Sequence, residues 1–303
     1  MCGIFGVLSY KNKLSDINGL VDLLGVESAE RGTDATGIGY VSAGEIKINK
    51  SAVSAYQFKP NVPKFVNAVI GHTRHSTQGD KSKNYNNHPW SEKVKNCQFA
   101  LAHNGVLFND NALQKQYNFN SKVETDSFVA VQLIKHKNML NFKTLRFMAE
   151  SINGSFSFNI LDNHNNLYLV KGDSPVCLLH FKSEGIYVFA STKQILWKAL
   201  VESELFSELE KGRYEEINLS EGDILKIKKN GKIEKGRFKY KESYGMRWYD
   251  YGYIENEYSK DDEENYLEDI KTVAAMYGED PELIQELYDN GFSLLELEEM
   301  IYS

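Results

Sequence analysis

The chain has 303 residues, of which 42% are hydrophobic and 25% are charged, a composition typical of a soluble globular protein with room for one large domain. It has no apolar run near the roughly 18 residues that span a bilayer and no signal-peptide pattern, so we expect no membrane partner. The net charge of −7 disfavours a nucleic-acid partner. Three unclustered cysteines, Cys2, Cys97 and Cys177, argue against a disulfide framework and fit a reducing, cytoplasmic compartment.

The N-terminus places a cysteine directly after the initiator methionine. Residues 2–10 predict a buried strand, and the small side chain of Cys2 favours removal of Met1. Cys2 would then carry both a thiol and a free α-amine, whose pKa of about 7.7–8.0 allows it to accept the thiol proton near neutral pH. The alternative is an ordinary buried strand that contains a cysteine.

Hydrophobic periodicity predicts a mixture of helices and strands in the next 230 residues or so. A helix capped by Ser15 should end near Glu27. Further helices are predicted at residues 61–68, from near Thr125 or Asp126 to 134, at 141–151 and at 193–208. Further strands are predicted at 36–42, 45–50, from 68, at 98–105, 155–161, 166–171, 176–181 and 186–190, and in the segment that ends near 238. This mixture predicts an α+β domain.

Polar segments interrupt these elements. Arg31 begins a glycine-rich stretch that can follow a close-packed path, and residues 72–80 form a loop rich in hydrogen-bond donors. Gly105 would let a backbone N–H and the Asn104 amide point the same way, as in an oxyanion hole, although an ordinary Asn-Gly turn is the alternative. Asp126 is either a helix-dipole partner or an acid for a ligand amine.

The histidines offer a rival interpretation, a metal site. His72, His75, His88 and His103 lack the i, i+4 spacing on one helix, and no second cysteine lies near them in the sequence. We therefore predict no metal and no cofactor. A Cys–His pair through His72 or His103 is also disfavoured, because the N-terminal amine already supplies a base.

The C-terminal part of the chain differs from the rest in charge. Residues 250–303 contain 17 acidic residues and two lysines, a net charge of −15, so the preceding residues carry +8. We predict an acidic, aromatic linker at 239–262 and a small helical module at 263–303, with helices at about 264–276, from Asp280-Pro281, and from a capping box of Ser293 and Glu296. The alternative is a solvated appendage.

Six short segments occur in an informative order: CGIFGV, RGTDATG, GHTRHSTQG, NNHP, AHNG and ETD. Together they resemble the class II glutamine amidotransferase domain, an N-terminal-nucleophile hydrolase module of glucosamine-6-phosphate synthase and amidophosphoribosyltransferase. The resemblance covers about residues 2–238. It implies a four-layer αββα fold, followed here by the small acidic helical appendage.

The resemblance also implies roles for individual residues. Cys2 would be the nucleophile, its own α-amine the base, and Asn104 with the backbone N–H of Gly105 the oxyanion hole. The residues implied to bind or support the substrate are Arg74 for the α-carboxylate, Asp126 for the α-ammonium group, His75 and Thr77 as lining, and Arg31 behind the site. The sequence departs from the family at His75, where Trp or Tyr is frequent, and at Gln78, where His is frequent.

The activity implied is hydrolysis of L-glutamine to glutamate and ammonia through a thioester on Cys2. About 65 residues follow residue 238, too few for a synthase domain, so we expect a separate ammonia-accepting synthase protein. Two alternatives remain open: a free-standing amidohydrolase without channelling, and a non-catalytic glutamine-binding regulatory protein. The ammonia acceptor cannot be read from the sequence.

Overall fold

The computed structural model describes residues 2–11, 14–241, 267, 270, 271, 274, 280–289, 294 and 297. The chain divides into two compact units, Met1–Ser243 and Tyr244–Ser303. None of the helices in the described part has the length and hydrophobicity that crossing a bilayer requires.

The first unit contains thirteen strands and six α-helices in its described residues. The strands are β1 Gly3–Ser9, β2 Ala35–Ser42, β3 Glu45–Ser51, β4 Ala68–Arg74, β5 Trp90–Val94, β6 Cys97–Leu107, β7 Gly154–Asp162, β8 Leu167–Lys171, β9 Cys177–Phe181, β10 Ile186–Ala190, β11 Glu215–Glu216, β12 Asp223–Ile227 and β13 Ile233–Arg237. The helices are α1 Ile17–Ser28, α2 Asp110–Tyr117, α3 Phe128–Lys137, α4 Phe142–Ser151, α5 Lys193–Val201 and α6 Phe206–Glu210, with 3₁₀ turns at Ala29–Arg31 and Asn84–Asn86.

The strands form two antiparallel sheets. The seven-stranded sheet has the order β11-β9-β10-β1-β4-β2-β3, and the six-stranded sheet has the order β13-β12-β8-β7-β6-β5. Strand β1 is internal to the first sheet and pairs with both β4 and β10. Strand β6 is internal to the second sheet and pairs with β5 and β7.

Three hydrophobic clusters fill the spaces between four layers of secondary structure: helices, two sheets and helices. The first joins α1 and α5 to one face of the seven-stranded sheet, for example through Leu24 and Phe5. The second lies between the two sheets and includes Phe189 and Leu169. The third joins α3 and α4 to the outer face of the six-stranded sheet, for example through Met148. This arrangement confirms the predicted α+β class and the four-layer αββα order.

Several predicted boundaries need correction. The helix predicted at 61–68 is absent, because Asn61 has a positive φ and one backbone bond from Val66 N to Pro63 O closes only a single turn before β4. Helix α1 is capped by Asp16, whose side chain accepts from Gly19 N, rather than by Ser15.

Four further differences concern helices and one strand. Helix α3 begins at Phe128, so Asp126 precedes it, and the helix predicted at 193–208 is divided into α5 and α6. Helix α2 and strand β5 were not predicted, since α2 follows a β-strand through a short polar segment with weak periodicity.

The second unit has a small core of its own. Helix α7, Pro281–Asp289, starts where Asp280-Pro281 predicted, and the Asp280 carboxylate accepts from Glu282 N at 3.0 Å. The buried residues of this core are Leu267, Ile270, Ala274, Ile284 and Leu297. Residues 242–262 of the predicted linker at 239–262 lie outside the described residues, as do most residues of the helices predicted at 264–276 and from Ser293. The predicted division at 238 and 262 therefore stays a prediction.

Two glycines allow a stability test of the packing against Phe5. A Cβ on Gly71 would lie 2.2 Å from the Phe5 ring, so we expect Gly71→Ala to lower the free energy of unfolding by about 1–3 kcal/mol. A Cβ on Gly25 in α1 would lie 3.4 Å from the same ring, an ordinary contact, and Gly25→Ala should stabilise the helix by up to about 1 kcal/mol. Urea or thermal unfolding of both variants measures the change in the free energy of unfolding. Equal changes in Gly71→Ala and Gly25→Ala would contradict the prediction.

Candidate active site

Strand pairing places Cys2 beside the end of β4. Gly3 lies opposite Thr73 in the antiparallel register, so Cys2 reaches the residues that follow Thr73. Its Sγ lies 3.4 Å from the backbone nitrogen of His75 and 3.5 Å from the His75 carbonyl oxygen. Arg31 donates from Nε to the Cys2 carbonyl oxygen at 2.8 Å and so holds the backbone of Cys2 from the other side.

The environment of the Cys2 thiol keeps it protonated. Burial raises the pKa of the thiol, and this effect outweighs the lowering by the His75 N–H and by the Arg74 guanidinium. The carboxylate of Asp126 raises the same pKa. Since the thiolate is the reactive form, this cysteine needs a neighbouring base to act as a nucleophile near neutral pH.

The segment after Arg31 supports the loop that follows β4. Asp34 N donates to the Arg74 carbonyl oxygen at 2.9 Å, and the Asp34 carboxylate accepts from Ser76 N at 2.8 Å and from Lys81 Nζ at 2.5 Å. Gly32 is required by contact, since a Cβ there would lie 2.4 Å from the Arg74 carbonyl carbon. The glycine-rich stretch after Arg31 therefore stabilises the loop that follows β4.

Arg74 is buried at the end of β4, with 2% of its surface exposed. Nη1 donates to the Asn87 side-chain oxygen at 2.6 Å, and Nη2 donates to the carbonyl oxygens of Gln78 at 2.6 Å and Gly79 at 3.1 Å. Burial lowers the pKa of Arg74 while the nearby Cys2 and acidic groups raise it. These bonds fix the guanidinium plane of Arg74 and hold the loop after β4 against it.

A second carboxylate fastens the same loop. Glu124 accepts from Asp80 N at 3.2 Å, from Asn86 Nδ2 at 2.8 Å and from Lys83 Nζ at 2.7 Å. The hydrogen bond from Lys83 lowers the pKa of Glu124 to about 2. The sequence analysis missed the anchoring residues Asn86, Asn87 and Glu124, although they belong to the NNHP and ETD segments. The side chains of His75 and Thr77, in contrast, are exposed on the loop.

Strand β6 contributes an amide without a partner. Asn104 is 2% exposed, and its Nδ2 has no hydrogen-bond partner among the described residues. A buried unpaired donor is costly, so such a group points to a ligand that completes it. Gly105 has φ +138°, and a Cβ there would lie 1.9 Å from the Ser155 carbonyl oxygen, so β6 can pass β7 at this point only with glycine.

Asp126 lies just before α3 and is 5% exposed. Its Oδ2 accepts from the backbone N–H of Leu107 at 2.6 Å, at the end of β6. Its charge acts on both Cys2 and Arg74. The structure therefore brings a thiol, a guanidinium and a carboxylate into one electrostatic neighbourhood, next to the strand that carries the unpaired Asn104 amide.

The buried His72 and His103 make their hydrogen bonds with groups other than the Cys2 thiol. His72 Nε2 lies 3.0 Å from the His103 carbonyl oxygen, and His103 Nδ1 lies 2.7 Å from Ser127 Oγ. His72 stacks on His88 with ring centroids 4.0 Å apart, and burial lowers the pKa of His72 to about 3. Within the described residues, no group of three or more His, Cys, Asp or Glu side chains is arranged to hold a metal ion.

Comparisons with known proteins match part of the chain to glutamine amidotransferases. A family model described as a glutamine amidotransferase domain matches residues 72–198. The isomerizing glutamine–fructose-6-phosphate aminotransferase of Geobacillus kaustophilus is 30% identical over 201 residues, which cover 63% of this chain and 32% of that enzyme. The Staphylococcus epidermidis enzyme of the same name is 32% identical over 205 residues, with the same coverage. The chain thus spans about a third of the length of these relatives.

A solved structure shows the same fold. Glutamine phosphoribosylpyrophosphate amidotransferase from B. subtilis is 20% identical and superposes with a TM-score of 0.63 over 78% of this chain and 49% of that chain. The family match, the two aminotransferase relatives and the shared fold all concern the unit that carries Cys2. Residues 72–198 therefore match a glutamine amidotransferase domain, and the unit that contains them is similar to the class II amidotransferases named above.

Proposed function

We propose that the protein hydrolyses L-glutamine to L-glutamate and ammonia through a thioester on Cys2. The observation that carries this proposal is that the half-buried Cys2 thiol interacts electrostatically with Arg74 and Asp126, while Asp126 contacts the end of the strand that carries the unpaired Asn104 amide. Each group has a counterpart in glutamine, which offers a carboxamide, an α-carboxylate and an α-ammonium group.

The base in this mechanism is the α-amine of Cys2 after removal of Met1. Burial raises the thiol pKa, so the thiol has to lose its proton during attack. The proton passes to the α-amine as sulfur bonds to the carboxamide carbon. The protonated amine then gives it to the departing nitrogen, which leaves as ammonia, and water cleaves the resulting thioester with the same amine as base.

The remaining residues bind the substrate and stabilise the tetrahedral intermediate. Asn104 Nδ2 and the Gly105 N–H donate to the oxyanion, which is where preorganised donors have their largest effect. Arg74 binds the α-carboxylate and Asp126 the α-ammonium group through charge-assisted hydrogen bonds. His75 and Thr77 line the loop side of the pocket.

Arg31 acts indirectly in this proposal. Its bond to the Cys2 carbonyl oxygen supports its placement behind the site, where it holds the nucleophile rather than the substrate.

We propose further that the ammonia passes to a separate synthase protein in the cytoplasm. The relatives are named for an amino transfer from glutamine to fructose 6-phosphate, and the match to this chain covers 32% of their length. About two thirds of the length of those relatives is not matched by this chain. A free-standing amidohydrolase would release ammonia at the same rate with or without an acceptor, which distinguishes the two possibilities.

Replacing the nucleophile tests the proposal directly. We expect Cys2→Ala to abolish glutamate release and labelling by an electrophilic glutamine analogue, with mass spectrometry reporting both label and Met1 removal. Cys177→Ala is the matched control, because Cys177 is half-buried on β9, and it should keep activity within about twofold. A lysine inserted between Met1 and Cys2 should also abolish activity, since the α-amine becomes an amide. Undiminished turnover by Cys2→Ala would refute the mechanism.

Removing the oxyanion donor should affect the chemical step. Asn104→Ala should lower kcat by about 10²–10³ with little change in KM, because the amide acts on the charge that develops in the transition state. Steady-state kinetics with glutamine measures this effect. A normal kcat with a raised KM would instead make Asn104 a substrate-binding residue.

Neutralising Asp126 should affect substrate binding. Asp126→Asn keeps an acceptor for the Leu107 N–H but removes the negative charge, so KM for glutamine should rise at least about tenfold, with kcat within a few-fold. Asp110→Asn is the matched control, since Asp110 is a buried acid at the start of α2, and it should leave KM unchanged. An unchanged KM for Asp126→Asn would exclude the contact.

A further inference from the structure

A buried chain of hydrogen bonds ends at the Asp126 carboxylate. His103 Nδ1 lies 2.7 Å from Ser127 Oγ, and Ser127 Oγ lies 3.1 Å from Asp126 Oδ1. On the other side of the imidazole, His103 Nε2 lies 3.4 Å from the Ser155 carbonyl oxygen. His103 is 1% exposed, Ser127 4% and Asp126 5%, so these contacts are shielded from water.

The single hydroxyl proton of Ser127 has two possible acceptors. A carboxylate oxygen is the stronger acceptor, because bonds to a charged group are about twice as strong as neutral ones. If the proton points to Asp126 Oδ1, then His103 Nδ1 must carry the proton of the 2.7 Å contact. The 3.4 Å separation between His103 Nε2 and the Ser155 carbonyl oxygen is long for an N–H···O bond, usually about 2.9–3.0 Å, so this contact competes only weakly for the ring proton.

The charge state of His103 is consistent with donation from His103 Nδ1–H to Ser127 Oγ. Burial lowers the pKa of His103, against the raising effects of Asp126, the Ser155 carbonyl and Asp173. The ring is therefore neutral at neutral pH and has one proton to place. His72, whose Nε2 lies 3.0 Å from the His103 carbonyl oxygen, is neutral as well, because burial lowers its pKa.

We propose that Ser127 and His103 are positioning residues for substrate recognition: His103 Nδ1–H donates to Ser127 Oγ, and Ser127 O–H donates to Asp126 Oδ1, which orients this carboxylate toward the α-ammonium group. The proposal rests on the substrate-binding role of Asp126 given above. Leu107 N–H holds Oδ2 and Ser127 holds Oδ1, so the carboxylate is fixed at both oxygens. A carboxylate has about four lone-pair sites, which leaves acceptor capacity for the ligand.

A pair of substrates isolates this effect. Glutaramate is glutamine without its α-amino group, so it has the carboxamide and the carboxylate but nothing for Asp126 to bind. We expect Ser127→Ala to lower kcat/KM for glutamine about tenfold, through KM, and to change kcat/KM for glutaramate less than about twofold. A merely structural loss would lower both values equally.

Further variants sharpen the comparison. Ser127→Thr retains the hydroxyl and should keep the preference for glutamine over glutaramate. Ser127→Val has the shape of the threonine variant without the hydroxyl, so it should lose this preference. Ser9→Ala is the matched control, because Ser9 is a buried serine at the far end of β1 whose hydroxyl has no partner among the described residues, and it should keep both values. Equal losses for both substrates in Ser127→Ala, or no loss for either, would overturn the proposal.

A second measurement requires neither turnover nor a folded variant. Nuclear magnetic resonance of the ring nitrogens in the wild-type protein should show His103 protonated at Nδ1 and bare at Nε2; the opposite tautomer would overturn the inference. If the wild-type protein releases no glutamate, the proposed function fails, and the His103 tautomer still decides the direction of this hydrogen-bond chain.

Discussion

The pairing of β1 with β4 is the constraint on which the site depends. Because Gly3 lies opposite Thr73, Cys2 must lie beside the residues that follow β4, and its Sγ comes within 3.4 Å of His75 N. Strand β1 also pairs with β10 from Phe5 to Ser9, so backbone bonds on both sides hold the strand that follows Cys2. A side chain anchored directly before a central strand is held in one position, and such positioning is a large part of what a site can contribute to rate.

Burial sets the electrostatics of the site. Charged groups taken out of water need partners, and here the backbone supplies most of them: Arg74 donates to two carbonyl oxygens, and Asp126 accepts from the Leu107 N–H. The same burial raises the thiol pKa of Cys2, so reactivity depends on a base. Some buried polar atoms of these segments are not paired: among the described residues, Asn104 Nδ2 and Thr125 Oγ1 have no hydrogen-bond partner. A buried cation, a buried anion and an unpaired amide donor are the groups that the proposed substrate, a zwitterion with a carboxamide, would need.

The regular strands of the second half of the domain were predicted well, because alternation of apolar and polar residues identifies a strand from local sequence. Strands β7 to β10 begin and end within about two residues of their predicted bounds. The errors lie where local pattern and packing disagree. Residues 61–68 look helical by spacing, yet Val62 and Val66 are buried against α1 and its sheet in an irregular segment. Asp126 was placed inside a helix, whereas it precedes α3 and faces the end of β6.

The sequence by itself determined which chemical groups are available: Cys2 after the initiator methionine, Arg74, Asn104 and Asp126 in an ordered set of segments. The tertiary structure decided how they are held, and therefore what each can do. Cys2 meets His75 across 73 residues of sequence, and Leu107 meets Asp126 across 19. The anchoring of the loop by Asn87 and Glu124, and the chain of bonds from His103 through Ser127, could not be predicted, because hydrogen bonds between distant segments depend on sheet register and strand order rather than on local pattern.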